Sequence, residues 1–249
     1  MIRVSDIATY LKCPRMCYYA YKGHELIKEP NMDYVQRLLL KELALTYSSA
    51  LKNGDTLSAL NNELDRISEE IRVVYRSELA GVDDDALVNA ASGVRNWLGD
   101  IYPNLSCDFY ALHCDSDNSL RSDKFGLTGS PDKLVTIGDE LIPSIIKTGA
   151  MPENGVWKSD RFQLTAYAIL VEEIYNTVVI RGFVEYARWG RVREVTIKRH
   201  ERRKVLQLRD RVRKIKEGFM PEKPVNASCE HCGYKGICDI KSTLASRFF

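Results

Sequence analysis

No apolar run in this 249-residue chain approaches the roughly 20 residues that a membrane-spanning helix needs. The opening residues, Met-Ile-Arg-Val-Ser-Asp, lack the charged start and apolar stretch of a secretory signal. A cytoplasmic location with no membrane partner is therefore expected. Histidine is scarce: His24, His113 and His200 are isolated, and His231 lies between two cysteines, where its neighbours turn it outward. None of the four is assigned a role. Neither sign of charge dominates, with 36 Lys and Arg against 34 Asp and Glu for a net +2. Total charge thus points to no polyanion, and only its local distribution can do so. Internal repeats and low-complexity linkers are missing too, which excludes solenoids and favours one composite domain over residues 1–249.

Cysteine, by contrast, is present seven times, and in a cytoplasmic chain these read as metal ligands or core thiols rather than a disulfide framework. Three fall in Cys229-Glu-His-Cys232-Gly-Tyr-Lys-Gly-Ile-Cys238, spaced C-x2-C-x5-C. A two-residue gap lets two thiolates turn onto one centre, with Gly233 and Gly236 supplying tight turns. A fourth ligand must come from elsewhere, and Cys13 or Cys17 near the N-terminus can supply it. Spacing alone leaves structural zinc and an iron–sulfur cluster equally open. Cys107 and Cys114 read as buried strand thiols.

Periodicity divides the chain. Residues 5–21 read as helical, with Ser5 as N-cap and Pro14 opening a second short helix. From 31 to 100 the pattern is helical, with a break at Asn53-Gly54-Asp55 and a third helix capped by Asp83-Asp84-Asp85. This region is the least informative about function. After Tyr102-Pro103 the pattern turns to strands: Cys107–Cys114, then a polar loop Asp115–Lys124, then a hairpin from Asp132 to Lys147 around Gly138-Asp139. Lys158–Tyr175 is a helix and Thr177–Tyr186 a buried strand. Arg188-Trp189-Gly190-Arg191 turns the chain into Val192–Lys198, and a basic helix spans about 199–217. The expected architecture is α/β: a mixed sheet flanked by helices, with an N-terminal helical region and a C-terminal cysteine cluster. Its parts are 1–30 (N-terminal helices with one thiol ligand), 31–100 (helical), 101–198 (α/β core) and 199–249 (basic helix and tail).

Four elements stand in order within the core. Gly129-Ser-Pro-Asp132 puts a carboxylate at a strand start, Lys147 ends the partner strand, and Gln163 and Tyr167 share one helix face. This order, continued by the cysteines, resembles the RecB-like branch of the PD-(D/E)XK nucleases, and within it the CRISPR-associated Cas-four exonucleases and AddB-type nuclease domains. The resemblance covers most of the chain, from Tyr10-Leu-Lys-Cys13-Pro-Arg15 to Cys238. It implies a restriction-endonuclease-like fold, a G-x-x-D motif at Gly129–Asp132 with Asp132 as metal ligand, and a Q-x-x-x-Y motif at Gln163–Tyr167. It also implies a [4Fe-4S] cluster on Cys13, Cys229, Cys232 and Cys238; Cys17 either replaces Cys13 or is a spare core thiol.

Two positions depart from the family's pattern. Where an acid stands two residues before the lysine, this chain has Ile145, and where the family has a histidine on an early helix it has Lys41-Glu42. Phosphodiester hydrolysis by this fold needs Mg²⁺ or Mn²⁺ held by hard oxygens. Asp132 alone is a poor seat, Lys41 repels a cation, and strand parity turns Glu140 away from Ile145. A lost or weakened nuclease site is expected.

The stretch Lys198–Lys216 carries ten Lys and Arg against only Glu201 and Asp210, over an apolar face of Val205, Leu208, Val212 and Ile215. Such a helix packs on one side and offers phosphates the other. With Lys147 at the site, Arg202, Arg203, Arg209 and Arg213 are its candidate contacts. Arg188 and Arg191 around Trp189 add charge and a stacking ring. The leading expectation is an iron–sulfur protein with a nuclease fold that binds DNA, single-stranded or with single-stranded ends, RNA being the other polyanion of this chemistry. The rivals are an active Mn- or Mg-dependent DNA exonuclease using Asp132, Lys147, Gln163 and Tyr167, and a non-catalytic subunit that holds a protein partner.

Overall fold

A computed structural model describes residues 1–24, 31–51, 56–105, 107–116, 118–225, 227, 229–230 and 232–238, without the side chains of Thr56 and Cys107. The chain opens with β1 (Ile2–Arg3), α1 (Val4–Lys12) and α2 (Pro14–Tyr21), followed by three long helices, α3 (Met32–Leu51), α4 (Thr56–Val74) and α5 (Asp84–Ile101). A one-turn helix α6 (Cys107–Tyr110) leads into β2 (His113–Asp115), β3 (Leu120–Ser122), β4 (Leu127–Gly129), β5 (Lys133–Ile137) and β6 (Glu140–Lys147). Then come α7 (Lys158–Tyr175), β7 (Arg181–Tyr186), β8 (Arg191–Thr196), α8 (Arg199–Lys216) and α9 (Lys235–Cys238). Both sheets are mixed. The larger has the order β2-β5-β6-β7-β8, and only β6 and β7 run parallel. The smaller, β1-β4-β3, pairs β1 parallel to β4.

Alternation along the strands sorts the large sheet into two cores. Leu134, Ile145, Val184, Tyr186 and Val195 face α7, whose Leu164, Ala168 and Val171 are buried with Ile7 of α1 and Val205 and Leu208 of α8. Ile146, on the other face, joins the core of α3, α4 and α5, where Leu39, Leu40 and Leu43 are fully buried. Each such leucine contributes roughly 1.5–3 kcal/mol by leaving water. The strand order therefore needs a helical layer on both faces, which the α3–α5 hairpins and α7–α8 supply.

Most boundaries follow the sequence pattern, and the exceptions have local causes. Arg3, not Ser5, caps α1, because Asp6 reaches back to accept from the Arg3 amide at 3.1 Å. Cys107–Cys114 is not a strand throughout: its first half winds into α6, so that Phe109 packs edge-on to Phe183 and Tyr110 to Tyr47. Cys114 sits half-buried in β2, with Ser48 Oγ at 3.7 Å. The polar loop 115–124 contains β3, pinned by buried Leu120. The strand expected over Thr177–Tyr186 begins only at Arg181, since Asn176 ends α7 in the left-handed region and Val178 and Ile180 stay exposed. Asp83 caps α5 as expected, accepting from Ala86 N at 2.7 Å. The Asn53-Gly54-Asp55 break, His231 and the Cys107 side chain lie outside the described residues.

Candidate functional site

The site forms where β6 and β7 end and α7 begins. Asp132 immediately precedes β5, and the antiparallel register lays it across from the last residues of β6. Its Oδ2 accepts the Ile146 amide at 2.7 Å, and its Oδ1 lies 2.9 Å from the Lys41 ammonium. Both carboxylate oxygens are therefore engaged. Gly129 leaves space for this corner: a Cβ there would come within 3.1 Å of both Tyr167 and Val4. Lys41 arrives from α3, and its neighbour Glu42 accepts from the hydroxyl of Tyr75, just after α4, at 2.6 Å. The helical region, least informative by sequence, thus delivers a cation to the central carboxylate.

Lys147 closes β6 and donates to Gln163 Oε1 at 2.7 Å, while its ammonium lies 3.2 Å from Asp160 Oδ1. Tyr167, one turn after Gln163, is buried against Gly129, and burial pushes its phenol up to about 12 while its contact with Gln163 works the other way. All four expected residues, Asp132, Lys147, Gln163 and Tyr167, come together here. Ile145 does not face open space. It is 1% exposed and packs with Leu164 and Val184 in the α7 core. Glu140 lies at the opposite end of β6, where Arg181 holds it at 2.7 Å.

Asp160 is a site residue that the sequence pattern did not single out. It is 5% exposed, its Oδ2 has no hydrogen-bond partner among the described residues, and it faces the buried Tyr186 hydroxyl, which also lacks one there. Its place three residues before Gln163, on the same helix face, was the available signal. On the opposite sheet face lies a second charged group. Lys133 Nζ reaches Glu185 at 2.8 Å and the Ala44 carbonyl at 2.9 Å, Ser144 donates to Glu185 at 2.6 Å, and both charged side chains are 1% exposed. Burial beside Glu185 raises the phenols of Tyr47 and Tyr110 above their usual range.

The expected nucleic-acid contacts divide into two places. Strand register sets Lys147 beside Tyr186, and Tyr186 beside Arg191, so the Ala187–Gly190 turn borders the site. There the Arg188 guanidinium stacks 4.3 Å from the Trp97 ring, Trp189 is 47% exposed, and Arg191 is exposed. Gly190, at φ +59, is required in this turn, since any Cβ would meet the Ile101 carbonyl at 2.5 Å. The basic helix α8 instead starts at the far end of the sheet, because Thr196 pairs with Arg181. Two of its candidates are tied inward: Arg202 to Glu172 at 2.6 Å and to the Val179 carbonyl, Arg209 to Asp210 and to the Phe125 carbonyl at 2.6 Å. Arg203 and Arg213 remain exposed, the latter 3.5 Å from Asp210.

The cysteine tail lies against α2. Arg15 donates to the Cys238 carbonyl at 3.3 Å, to the Cys238 sulfur at 3.4 Å and to the Pro221 carbonyl at 3.2 Å. Tyr19 stacks on Tyr234 at 5.6 Å and donates to the Ile237 carbonyl at 3.4 Å. Cys13, Cys229, Cys232 and Cys238 are free thiols, each half-buried, and Arg15 senses both Cys13 and Cys238. In kind, these donors suit a soft metal or an iron–sulfur cluster. Among the described residues, no three His, Cys, Asp or Glu side chains converge closely enough to hold a metal ion. Cys17 is 3% exposed and donates to the Asp6 carbonyl at 3.3 Å, and burial pushes its thiol up to about 12. That environment is one of a core thiol.

The fold and this corner of acid, lysine, glutamine and tyrosine agree with a family match over residues 3–239: the chain belongs to the PD-(D/E)XK nuclease superfamily. Asp132, Lys147, Gln163 and Tyr167 all lie within the matched stretch. The chain is similar along its whole length to an uncharacterized protein of Archaeoglobus fulgidus, 26% identical over 249 residues and covering 100% of both chains. Among solved structures it is similar to the crystal structure of SSO0001, at 17% identity and a TM-score of 0.38 over 92% of this chain and 94% of that one. No helix among the described residues is long and apolar enough to cross a membrane.

Proposed function

We propose that this chain is a cytoplasmic nucleic-acid-binding protein, with DNA as its partner, built on a nuclease fold whose hydrolytic site is disabled. The observation that carries this reading is the strand register that pairs Lys147 with Tyr186 and Tyr186 with Arg191, so that the turn carrying Trp189 borders the same end of the sheet. An exposed indole and cations thereby border a site where a phosphate would lie. Loss of hydrolysis is supported by Ile145, buried where the second acid of the signature belongs. Within the superfamily, the C-x2-C-x5-C tail and the Cys13-Pro14-Arg15 start favour a Cas-four-like member. Cys13, Cys229, Cys232 and Cys238 would then hold a [4Fe-4S] cluster, with structural zinc as the alternative. When bound, that group would tie the tail to the N-terminal helices, a contact Arg15 and Tyr19 already make.

The test is fluorescence anisotropy with single- and double-stranded DNA over a salt series, with cleavage followed in Mn²⁺ and Mg²⁺. Binding without cleavage is expected. Replacing Arg191 and Arg203 by Ala should lower the slope of log K against log salt by about 0.7–0.9 for each phosphate no longer neutralised. No binding at low salt would sink this reading and favour a subunit that holds a protein. A second reading, an active exonuclease, draws on the Asp160 oxygen beside Lys147 that has no partner among the described residues. Mn²⁺-dependent cleavage abolished by either Asp132→Ala or Asp160→Ala would establish it.

A further inference from the structure

We propose that the Lys41 ammonium is the resident cation of this site, standing at Asp132 in place of a divalent ion, so that nucleic acid is bound without metal. This deepens the nucleic-acid reading and rests on it for the ligand, but the part concerning Lys41 is separable. Three observations carry it. Lys41 Nζ lies 2.9 Å from Asp132 Oδ1, a charge-paired contact, and the second oxygen accepts the Ile146 amide at 2.7 Å. The neighbouring carboxylates are also committed: Glu42 to Tyr75 at 2.6 Å, and Asp160, through one oxygen, to Lys147 at 3.2 Å. The Ile145 side chain offers no oxygen and belongs to the apolar core.

A divalent ion prefers several hard oxygens, anionic ones above all, and Mg²⁺ dehydrates reluctantly. Here it would have to displace an ammonium from Asp132 and then sit near that same ammonium and Lys147. Like charges at such range oppose binding strongly wherever water is partly excluded. The residues therefore do not fit the metal that the fold's chemistry calls for. They fit a site whose charge is balanced from within the chain. Lys41 belongs to α3, so the pair also fastens the helical layer to the end of the sheet. It acts as a positioning residue and not as a catalytic one.

Two consequences separate this from simple loss of an acid. Restoring the acid alone should not restore the metal, and removing the ammonium should matter more than Ile145 suggests. Mn²⁺ binding would be measured by the loss of the free-ion paramagnetic signal in wild type, Lys41→Glu, Ile145→Glu and the double variant, each with and without Asp132→Ala. DNA binding would be measured in the same preparations with and without chelator. Lys41 is half-exposed and is the safer change; Ile145→Glu buries a carboxylate, so the proposal is decided on Lys41→Glu if that variant fails to fold. The expected result is Asp132-dependent Mn²⁺ binding in Lys41→Glu at least about tenfold tighter than in wild type. Ile145→Glu alone should gain less than about threefold, and chelator should leave wild-type DNA binding unchanged.

Asp132-dependent Mn²⁺ binding by wild type, or no such gain in Lys41→Glu, would overturn the resident-cation proposal. Chelator-sensitive DNA binding would overturn it as well. If no preparation binds DNA at low salt, the nucleic-acid reading fails while the Mn²⁺ comparison still decides the role of Lys41.

Discussion

Asp132 and Lys133 are neighbours in the chain, and each is half of a lysine–carboxylate pair, yet the two pairs occupy different physical worlds. Lys133 meets Glu185 at 2.8 Å with both side chains 1% exposed, and Ser144 and the Ala44 carbonyl complete the group. Lys41 meets Asp132 at 2.9 Å with 40% and 19% of the side chains exposed. Alternation of the strand turns one residue under α3 and leaves the other at the sheet's open end. The first pair has been taken wholly out of water, so neither member can be disturbed without stranding the other. The second keeps solvent at its edge, where the Lys41 ammonium stays within reach of an anionic ligand. A buried pair fixes an arrangement; a half-exposed one can serve a site.

Breaking the buried pair should have the largest effect. Lys133→Ala should lower unfolding free energy by about 3–5 kcal/mol, read from urea denaturation, because Glu185 is left charged and buried. The double change Lys133→Met with Glu185→Leu should recover most of that loss. Recovery no better than the single variant would mean that the pair does more than satisfy itself. Alkaline pH should come next. Cys17 and Tyr167 are both raised to about 12 in the fold, above their ordinary values near 9 and 10. Stability from keeping them protonated is complete below those ordinary values and is lost as pH rises towards about 12. Melting temperature should therefore fall across that window, and Cys17 should resist alkylation at pH near 9 until the protein is unfolded.

Arg15→Ala should have a local effect of about 0.5–1.5 kcal/mol per hydrogen bond removed, seen as faster proteolysis of the tail with the melting temperature little changed. Smallest in stability is Lys41→Ala, expected at about 0–1 kcal/mol and diminishing with salt, since the pair is half-exposed. A loss near that of Lys133→Ala would erase the distinction between the two pairs.

Long, strongly periodic segments were legible in the sequence: α3, α5, α7, α8 and the β5–β6 hairpin fall where apolar spacing and turn residues put them. Asp132, Lys147, Gln163 and Tyr167, picked out by spacing, are brought together at the end of β6. What escaped was either short or decided by tertiary packing. β3 is three residues long inside a polar stretch, and α6 is one turn held by aromatic packing. Charge inside a strand reads as surface, so nothing in Lys133 or Glu185 announces a pair buried between α3 and the sheet. Arg202 and Arg209 counted as free cations on a ten-to-two tally, because their partners Glu172 and the Phe125 carbonyl lie far away in the chain. Lys41 could be aligned from sequence, but only geometry puts its ammonium on Asp132.

The grip of Arg15 on Cys238 has a consequence in time. The two residues are 223 positions apart, so at roughly 5–20 residues per second the ribosome needs about 10–45 s to bring the second within reach of the first. Through that interval Arg15 is without the Cys238 carbonyl and sulfur. Cys17 needs no such wait, since its acceptor, the Asp6 carbonyl, is 11 residues away and emerges with it. Of two thiols four residues apart, one meets its acceptor almost at birth, while the segment beside the other meets its distant contact only after residue 238 has been made.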